Sequence, residues 1–406
     1  MHCRNSARAR ASKLAAARRR DYGSRRSRVA RQLKLLVGAG VVAAVGAQSA
    51  AAAGWSIQPV PLPQRPASTE LTGVSCPSTD DCIAVGVADL NATGNYIPLV
   101  EHWNGASWSI ERTPIPPLDE GGGALSSVSC TSSSACMAAG SFGPGDGPLA
   151  ERWNGSSWSL QRPPDPVGAY GFDGISCASS TDCIAVGGGD KPLAERWDGR
   201  RWSVQTTHFS DALSSGLLGV SCPSSTACAA VGADDVGLCS DSYDYGSGYS
   251  DYYLEVFGLW KAGRWSIRPH PNIACSRSGD EGGGNGMAAV SCTSPTACTA
   301  VGSEIYRWNG SHWTVQPEVV PTDVLLGVSC SASDECTAVG SGIDTWDGHD
   351  WWSVPMASPA HASATTLNSV SCVSPDTCVA VGTYANRADQ NFPLAESIGI
   401  SAAQER

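Results

Sequence analysis

Read for its apolar and polar positions, the chain falls into short apolar runs broken by polar turns, and the same four runs recur in the same order. The first is LTGVSC (71–76), LSSVSC (125–130), LLGVSC (325–330) or LNSVSC (367–372). The second is CIAVG (82–86), CTAVG (298–302) or CVAVG (378–382). The third is PLVEHW (98–103) or PLAERW (148–153 and 192–197), and the fourth starts at the next Trp, as in WSIER (108–112), WSLQR (158–162) and WTVQP (313–317). Runs this short, rich in β-branched and aromatic residues and bounded by Gly, Asn, Asp, Ser and Pro, predict strands. A Pro often follows the fourth run and ends it, because Pro has no N–H to give to a ladder.

The link between the third and fourth runs reads W-N/D-G-x-x-W at 103–108, 153–158, 197–202, 308–313 and 346–351, which predicts a hairpin. The fourth repeat departs from it, with Trp260-Lys-Ala-Gly-Arg-Trp265. Of the 14 Trp, only Trp352 falls outside these positions, which assigns the Trp to packing between neighbouring sheets.

Seven Cys pairs share one spacing, C-x5-C: Cys76/Cys82, Cys130/Cys136, Cys177/Cys183, Cys222/Cys228, Cys292/Cys298, Cys330/Cys336 and Cys372/Cys378. Cys239, Cys275 and the N-terminal Cys3 make up the total of 17. An even count beyond an export segment points to disulfides. Zinc is the rival reading, but zinc sites favour knuckles of two to four intervening residues. Each bridge closes a loop of about seven residues, worth roughly 2.4 kcal/mol at best in the chain-entropy estimate.

The pairs count seven repeats. The seventh ends at PLAESIG (393–399) without a Trp-led fourth run, while Trp55-Ser-Ile-Gln-Pro stands unattached ahead of the first. A ring would use that spare segment to complete its last sheet and so remove open edges. The expected fold is therefore all-β: a seven-bladed β-propeller with four antiparallel strands per blade, its last blade closed by the N-terminal strand at Trp55.

The G-x-x-W hairpin resembles the Asp-box of sialidase-type (BNR) propellers. The pattern VSC…AVG…WNGxxW resembles the repeats of Ycf48-like photosystem-assembly propellers. Over residues 55–399 the chain is similar to cysteine-containing propeller repeats of secreted actinobacterial proteins. The resemblance implies the fold. Asp-boxes are structural turns away from the active face and imply no chemistry, and the cysteines and the missing Asp-box Asp set this chain apart from the sialidases.

Charge divides the chain in two. Residues 1–34 carry 12 Lys/Arg and one Asp, followed by an apolar stretch from Leu35 to Ala47 and small residues at Ala50–Ala53. This order reads as an export signal, residues 1–53, too short in its apolar part to span a bilayer. An uncleaved N-terminal anchor is the alternative. No second apolar run of spanning length follows, so the expected location is extracellular, in solution or at the cell surface. The division is then 1–53 signal, 54–399 propeller and 400–406 tail. From Gly54 onward 15 Lys/Arg face 37 Asp/Glu, a net −22. That sign is opposite to the basic balance a nucleic-acid binder needs.

In such a blade the C-x5-C and WNG turns share one regular face, and the remaining links form a variable face, where binding residues usually sit on a rigid scaffold. The fourth repeat carries both large insertions there, 233–252 and 270–286. Cys239 and Cys275, one in each, are expected to form an eighth disulfide. Asp241, Tyr243, Asp244, Tyr245, Tyr249, Asp251 and Tyr252 of the first insertion are the candidate ligand-binding residues, since Tyr gives rigid contact area with a polar tip. A solvated, tethered loop is the plainer reading of the same residues. Calcium is a further reading, but the spacing does not match an EF-hand.

Glu101, Glu151, Glu195 and Glu396 share one third-strand position, with Tyr306 and Asp344 in the fifth and sixth repeats. Paired carboxylates serve glycoside hydrolysis, yet a residue repeated in most units is expected to belong to the scaffold's own hydrogen bonding. Arg152, Arg196 and Arg307 also share a position, on different blades, and so do not make an arginine cluster. The Gly-rich links at 118–123 and 279–284 lead into no helix and bring no Lys, and so are flexible loops rather than phosphate cradles. No G-x-S-x-G, HExxH or P-loop occurs, and no cofactor is implied. The expected function is a secreted, non-catalytic module binding an extracellular protein or glycan on the variable face. The alternatives are a glycoside hydrolase or lyase using carboxylates there, and a structural envelope protein.

Overall fold

The computed structural model describes residues 54–63, 66–90, 96–116, 122–143, 147–207, 214–235, 252–261, 263–269, 276–277, 286–316, 324–388 and 390–399. They belong to one compact unit, Ala52–Arg406. Residues 1–53, expected to be an export signal, and 400–406, expected to be a tail, lie outside the described residues.

Among the described residues every regular element is a strand, and within each unit consecutive strands pair antiparallel. Ser68–Ser78, Asp81–Asp89, Tyr96–Trp103 and Trp108–Ile110 form the first sheet in that order, and Gly123–Ser132, Ala135–Phe142, Pro148–Trp153 and Trp158–Gln161 the second. The same four-strand unit recurs along the chain. The third and fourth units are joined into one nine-stranded sheet where Gly188 and Gly189 pair with Gly216 and Ser215. In the last sheet Ala364–Ser374, Thr377–Ala385 and Asn391–Ile398 are completed by Ser56–Gln58, with Ser56 opposite Ser397 and Gln58 opposite Ala395. Gln58 Nε2 donates to Ser397 Oγ at 2.8 Å, and Trp55 is buried beside it. The first strands touch one another in cyclic order, and Ala364–Ser374 returns to Ser68–Ser78. The fold is a β-propeller with first strands along its axis.

The apolar pattern explains why the sheets stack. A strand covered on both faces reads as a continuous apolar run. In the second strand of the first sheet, Ile83 and Val85 pack with Leu125, Val128 and Trp158 of the next sheet. Their alternate neighbours, Cys82 and Ala84, pack with Val379 and Val381 of the last. Each core cluster in this way joins one sheet to the following one. The Trp pair of each hairpin, such as Trp153 and Trp158 with ring centroids 5.6 Å apart, closes the outer end of a cluster.

The cysteine pairs are bonded as their spacing predicts: Cys76–Cys82, Cys130–Cys136, Cys177–Cys183, Cys222–Cys228, Cys292–Cys298, Cys330–Cys336 and Cys372–Cys378. Their setting corrects the expectation of a bridged surface loop in two ways. The strands run on through the cysteines. Cys130 and Cys136 are directly opposite each other, and the hairpin continues to the pair Ser132–Ala135. The bridge therefore crosses a tight hairpin, with Cα atoms 3.9–4.1 Å apart in all seven pairs. The second cysteine of each pair is also buried rather than displayed on a face: Cys82, Cys136, Cys183, Cys228, Cys298, Cys336 and Cys378 each belong to a different core cluster. The cause is the apolar second run, which starts at that cysteine and is covered on both sides from its first residue. A half-buried disulfide packs there as a small apolar group. These cysteines are scaffold, and none is available to a ligand.

Two further local features shape the repeat. The glycine ending the second run lies against the opposing backbone: a Cβ on Gly140 would stand 2.0 Å from the Ala124 carbonyl oxygen. The cause is a register shift between Leu125 and Ser127 that folds the first strand over it. In the WNG turns the glycine takes the positive φ (92° at Gly155), while His361 is the single described non-glycine in that region. Asn154 contributes differently, its Oδ1 accepting the Ser156 and Ser157 backbone N–H at 2.9 and 3.0 Å. That side-chain bond, rather than a left-handed Asn, makes the turn.

The serine of V-S-C links the sheets. Ser75 Oγ accepts the Cys130 N–H at 3.0 Å, Ser129 the Cys177 N–H at 3.0 Å and Ser176 the Cys222 N–H at 2.9 Å. Ser221, Ser291 and Ser329 serve Cys292, Cys330 and Cys372 in turn. Ser371 closes the circle on Cys76 at 3.0 Å.

Candidate functional site

The insertions of the fourth repeat come together at the backbone. Ala227–Asp235 and Tyr252–Lys261 form a long hairpin, with Asp235 opposite Tyr253. The short strand Ser276–Arg277, from the second insertion, pairs with Tyr252 and Tyr253. Of the candidate ligand-binding residues, only Tyr252 is placed, as a backbone position opposite Arg277. Asp241, Tyr243, Asp244, Tyr245, Tyr249 and Asp251, and the pair Cys239 and Cys275, lie outside the described residues.

The repeat carboxylates are inside the scaffold. Glu101, Glu151, Glu195 and Glu396 are fully buried between sheets. Glu151 accepts a hydrogen bond from Thr113 Oγ1, on the link leaving the preceding sheet. Glu396 Oε2 accepts the Ala357 N–H at 3.1 Å from the equivalent link. Among the described residues, Glu101 and Glu195 find no donor for either oxygen. The expectation of scaffold hydrogen bonding is therefore met only at Glu151 and Glu396. Burial pushes the carboxyls of Glu101 and Glu195 up to about 8, the latter helped by the charge of Asp165. Glu151 and Glu396 rise to about 7, again by burial, their donors offsetting part of it. Removing a charge from water without a partner favours its neutral form. None of the four can touch a substrate. In the fifth repeat Tyr306 gives its hydroxyl to Glu255 Oε2 at 2.5 Å. In the sixth, Asp344 accepts from Ser353 Oγ at 2.5 Å.

The shared arginine position is structural too. Arg196 forks onto Asp182, with Nε 2.7 Å from Oδ1 and Nη2 2.9 Å from Oδ2. Arg152 and Arg307 lie over Trp197 and Trp346, at 6.0 and 4.6 Å from the ring centroids. His102 fills the same place in the first repeat and meets Asp81 at 2.9 Å. Each cation thus serves its own sheet or its neighbour's Trp.

The axis carries a carboxylate that repeat reading overlooks. The residue after the first buried Leu, Phe or Met of each V-S-C strand is Thr72, Ser126, Asp173, Leu218, Ala288, Leu326 or Asn368. Thr72 Oγ1 donates to the Leu125 carbonyl at 2.7 Å, and Asn368 Nδ2 to the Leu71 carbonyl at 2.8 Å. Asp173 keeps exposed surface, yet desolvation by the protein around it pushes its carboxyl up to about 6. Its signal in the sequence is a lone acid at a position otherwise neutral. Among the described residues no three His, Cys, Asp or Glu side chains are arranged to hold a metal.

No family model and no curated protein matches the sequence. Solved structures do match in fold. YCF48 from Cyanidioschyzon merolae superposes with a TM-score of 0.50 at 15% identity, over 85% of this chain and 99% of that one. A YCF48 bound to D1 peptide gives 0.53 at 14%, over 85% and 96%. Virginiamycin B lyase from Staphylococcus aureus gives 0.50 at 11%, over 85% and 99%. At these identities the likeness is one of fold.

Proposed function

We propose that the chain is a secreted, seven-bladed propeller that acts as a non-catalytic interaction module, holding an extracellular protein on the face that bears the insertions of its fourth repeat. The observation that carries this reading is the division of labour along the repeat. Its recurring polar residues, the buried Glu, the V-S-C Ser and the paired Arg, are all used inside the scaffold. What remains free to vary is concentrated where Ser276–Arg277 joins the long hairpin of the fourth repeat. A YCF48 of similar fold is bound to a peptide, which fits a protein partner better than a glycan. An eighth disulfide between Cys239 and Cys275 would fasten the two insertions.

The test uses the chain from Gly54 onward and a variant with residues 236–250 replaced by a short Gly-Ser link. The parent is expected to retain a specific surface protein of its own cells in cross-linking, and the variant to lose it while melting like the parent. Hydrolysis or elimination on a glycan panel, abolished by one carboxylate substitution, would instead establish an enzyme.

A further inference from the structure

One turn of the ring breaks the repeat in charge. The two free positions of the W-N/D-G-x-x-W turn are Ala106-Ser107, Ser156-Ser157, Ser311-His312 and His349-Asp350, but Arg200-Arg201 in the third repeat. These arginines face Arg162, which follows the last strand of the second sheet, across a cleft of about 380 Å³. One wall is the segment Gln161 to Pro164, and the other is Trp197 with the turn itself.

The cleft arginines differ from those nearby. Arg196 and Arg152 are engaged with Asp182 and Trp197. Arg162 and Arg200 are exposed, and no ion pair joins them to any described residue. Arg201 has one carboxylate, Asp198, at 3.8 Å. Asp198 is fixed beside both, its Oδ1 accepting the Arg200 and Arg201 backbone N–H at 2.9 Å each. Three guanidiniums therefore stand against one carboxylate, on a region of net −22. Unpaired like charges held together are a cost that an anion in the cleft removes.

We propose that this cleft between the second and third sheets binds the carboxylates of an acidic peptide segment. The chemistry of the walls selects the class. Guanidinium is a donor only, with a fork that matches a carboxylate. Gln161 is the one lining side chain that adds a strong acceptor, its Oε1, while its Nε2 donates to Ser159. A sugar chain brings many hydroxyl donors that would find few acceptors here, whereas carboxylates need donors alone. Pro163, Pro164 and the Trp edges give the aliphatic parts of a peptide an apolar bed. The site stands whether or not the fourth repeat's insertions bind a partner.

Fluorescence anisotropy with a labelled, C-terminally amidated Glu-Gly decapeptide tests this on the chain from Gly54 onward. The peptide is expected to bind, its Gln-Gly counterpart not, and binding is expected to weaken steeply with salt. Arg162→Gln, Arg200→Gln and Arg201→Gln should each weaken it about three- to tenfold, in line with the removal of one charge-assisted hydrogen bond. The triple variant should abolish it without lowering the melting temperature, because all three side chains are exposed and repel one another, and Arg387→Gln, an exposed arginine of the last repeat, should leave binding unchanged. The proposal is overturned if the triple variant binds like the parent, if the Gln peptide binds equally, or if no binding occurs at about 1 mM, a weak limit on the affinity scale. Preference for an oligogalacturonate over the peptide would overturn the peptide assignment.

Discussion

A carboxyl buried without a donor keeps its proton until well above its usual range, and that makes the inter-sheet glutamates a source of pH dependence. Below about pH 4.5, the ordinary value, Glu101 and Glu195 are protonated folded and unfolded alike. Between there and about 8 the unfolded chain releases protons that the folded chain holds, so stability falls as pH rises and levels off above. Thermal melts from pH 5 to pH 9 should show the melting temperature decreasing. Glu195→Gln should flatten part of that slope and stabilise the protein at pH 8 by on the order of 1 kcal/mol, since it removes the buried charge. A melting temperature rising with pH would contradict the neutral state. At Gly140 a Cβ meets a carbonyl at 2.0 Å. Gly140→Ala should therefore cost about 2–4 kcal/mol in a denaturant titration, as backbone clashes in packed sites do. Some of this was legible in the sequence. A Glu recurring at one third-strand place reads as scaffold, but period does not reveal depth, so its missing donors were not readable. The Ser of V-S-C was visible as a repeat yet mute, because its partner is a backbone N–H in another repeat.

At the scale of the element, the turns show where a pattern under-specifies geometry. C-x5-C reads as a small loop, but the register shift after Cys130 lets both strands continue to Ser132 and Ala135. The bridge spans two strands already held by a ladder, and on the unfolded chain it closes a loop of only about seven residues, so its entropic contribution is small. Cys130→Ala with Cys136→Ala, which keeps the buried side of the bridge apolar, should cost no more than about 2 kcal/mol and leave the far-UV spectrum unchanged. A collapse of the fold would mean that the bridge, not the hairpin, organises the pair. The pairing of the cysteines was legible from spacing alone. The burial of the second one was not, because a spacing does not say on which side of a sheet the sulfur lies. The W-N/D-G-x-x-W turn was legible as a hairpin, and its Asn was not legible as an acceptor, because both uses favour the same residue. Asn154→Ala removes the acceptor for two N–H groups and should destabilise by about 1 kcal/mol, measured by chemical unfolding.

Over the whole molecule, the four-strand unit and the ring could be inferred because one fourth strand is missing at the end and one is spare at the start. Ser56–Gln58 pairs with Asn391–Ile398 as that reasoning requires. The joining of the third and fourth sheets through Gly188 and Gly189 was not legible, since glycines are read as turns and not as pairing partners. Nor was the rim cleft, where Arg162 and Arg200 come from different sheets and their meeting depends on how sheets stack. Closure is the claim on which the rest depends: it holds the Ser–Cys circle and buries the glutamates. Its most direct measurement is the melt of a chain beginning at Val60, which lacks Trp55 and the strand Ser56–Gln58. A closed ring predicts a drop of about 5–10 °C, from the lost Trp burial and the opened sheet edge, whereas a truncated chain that melts like the parent would contradict it.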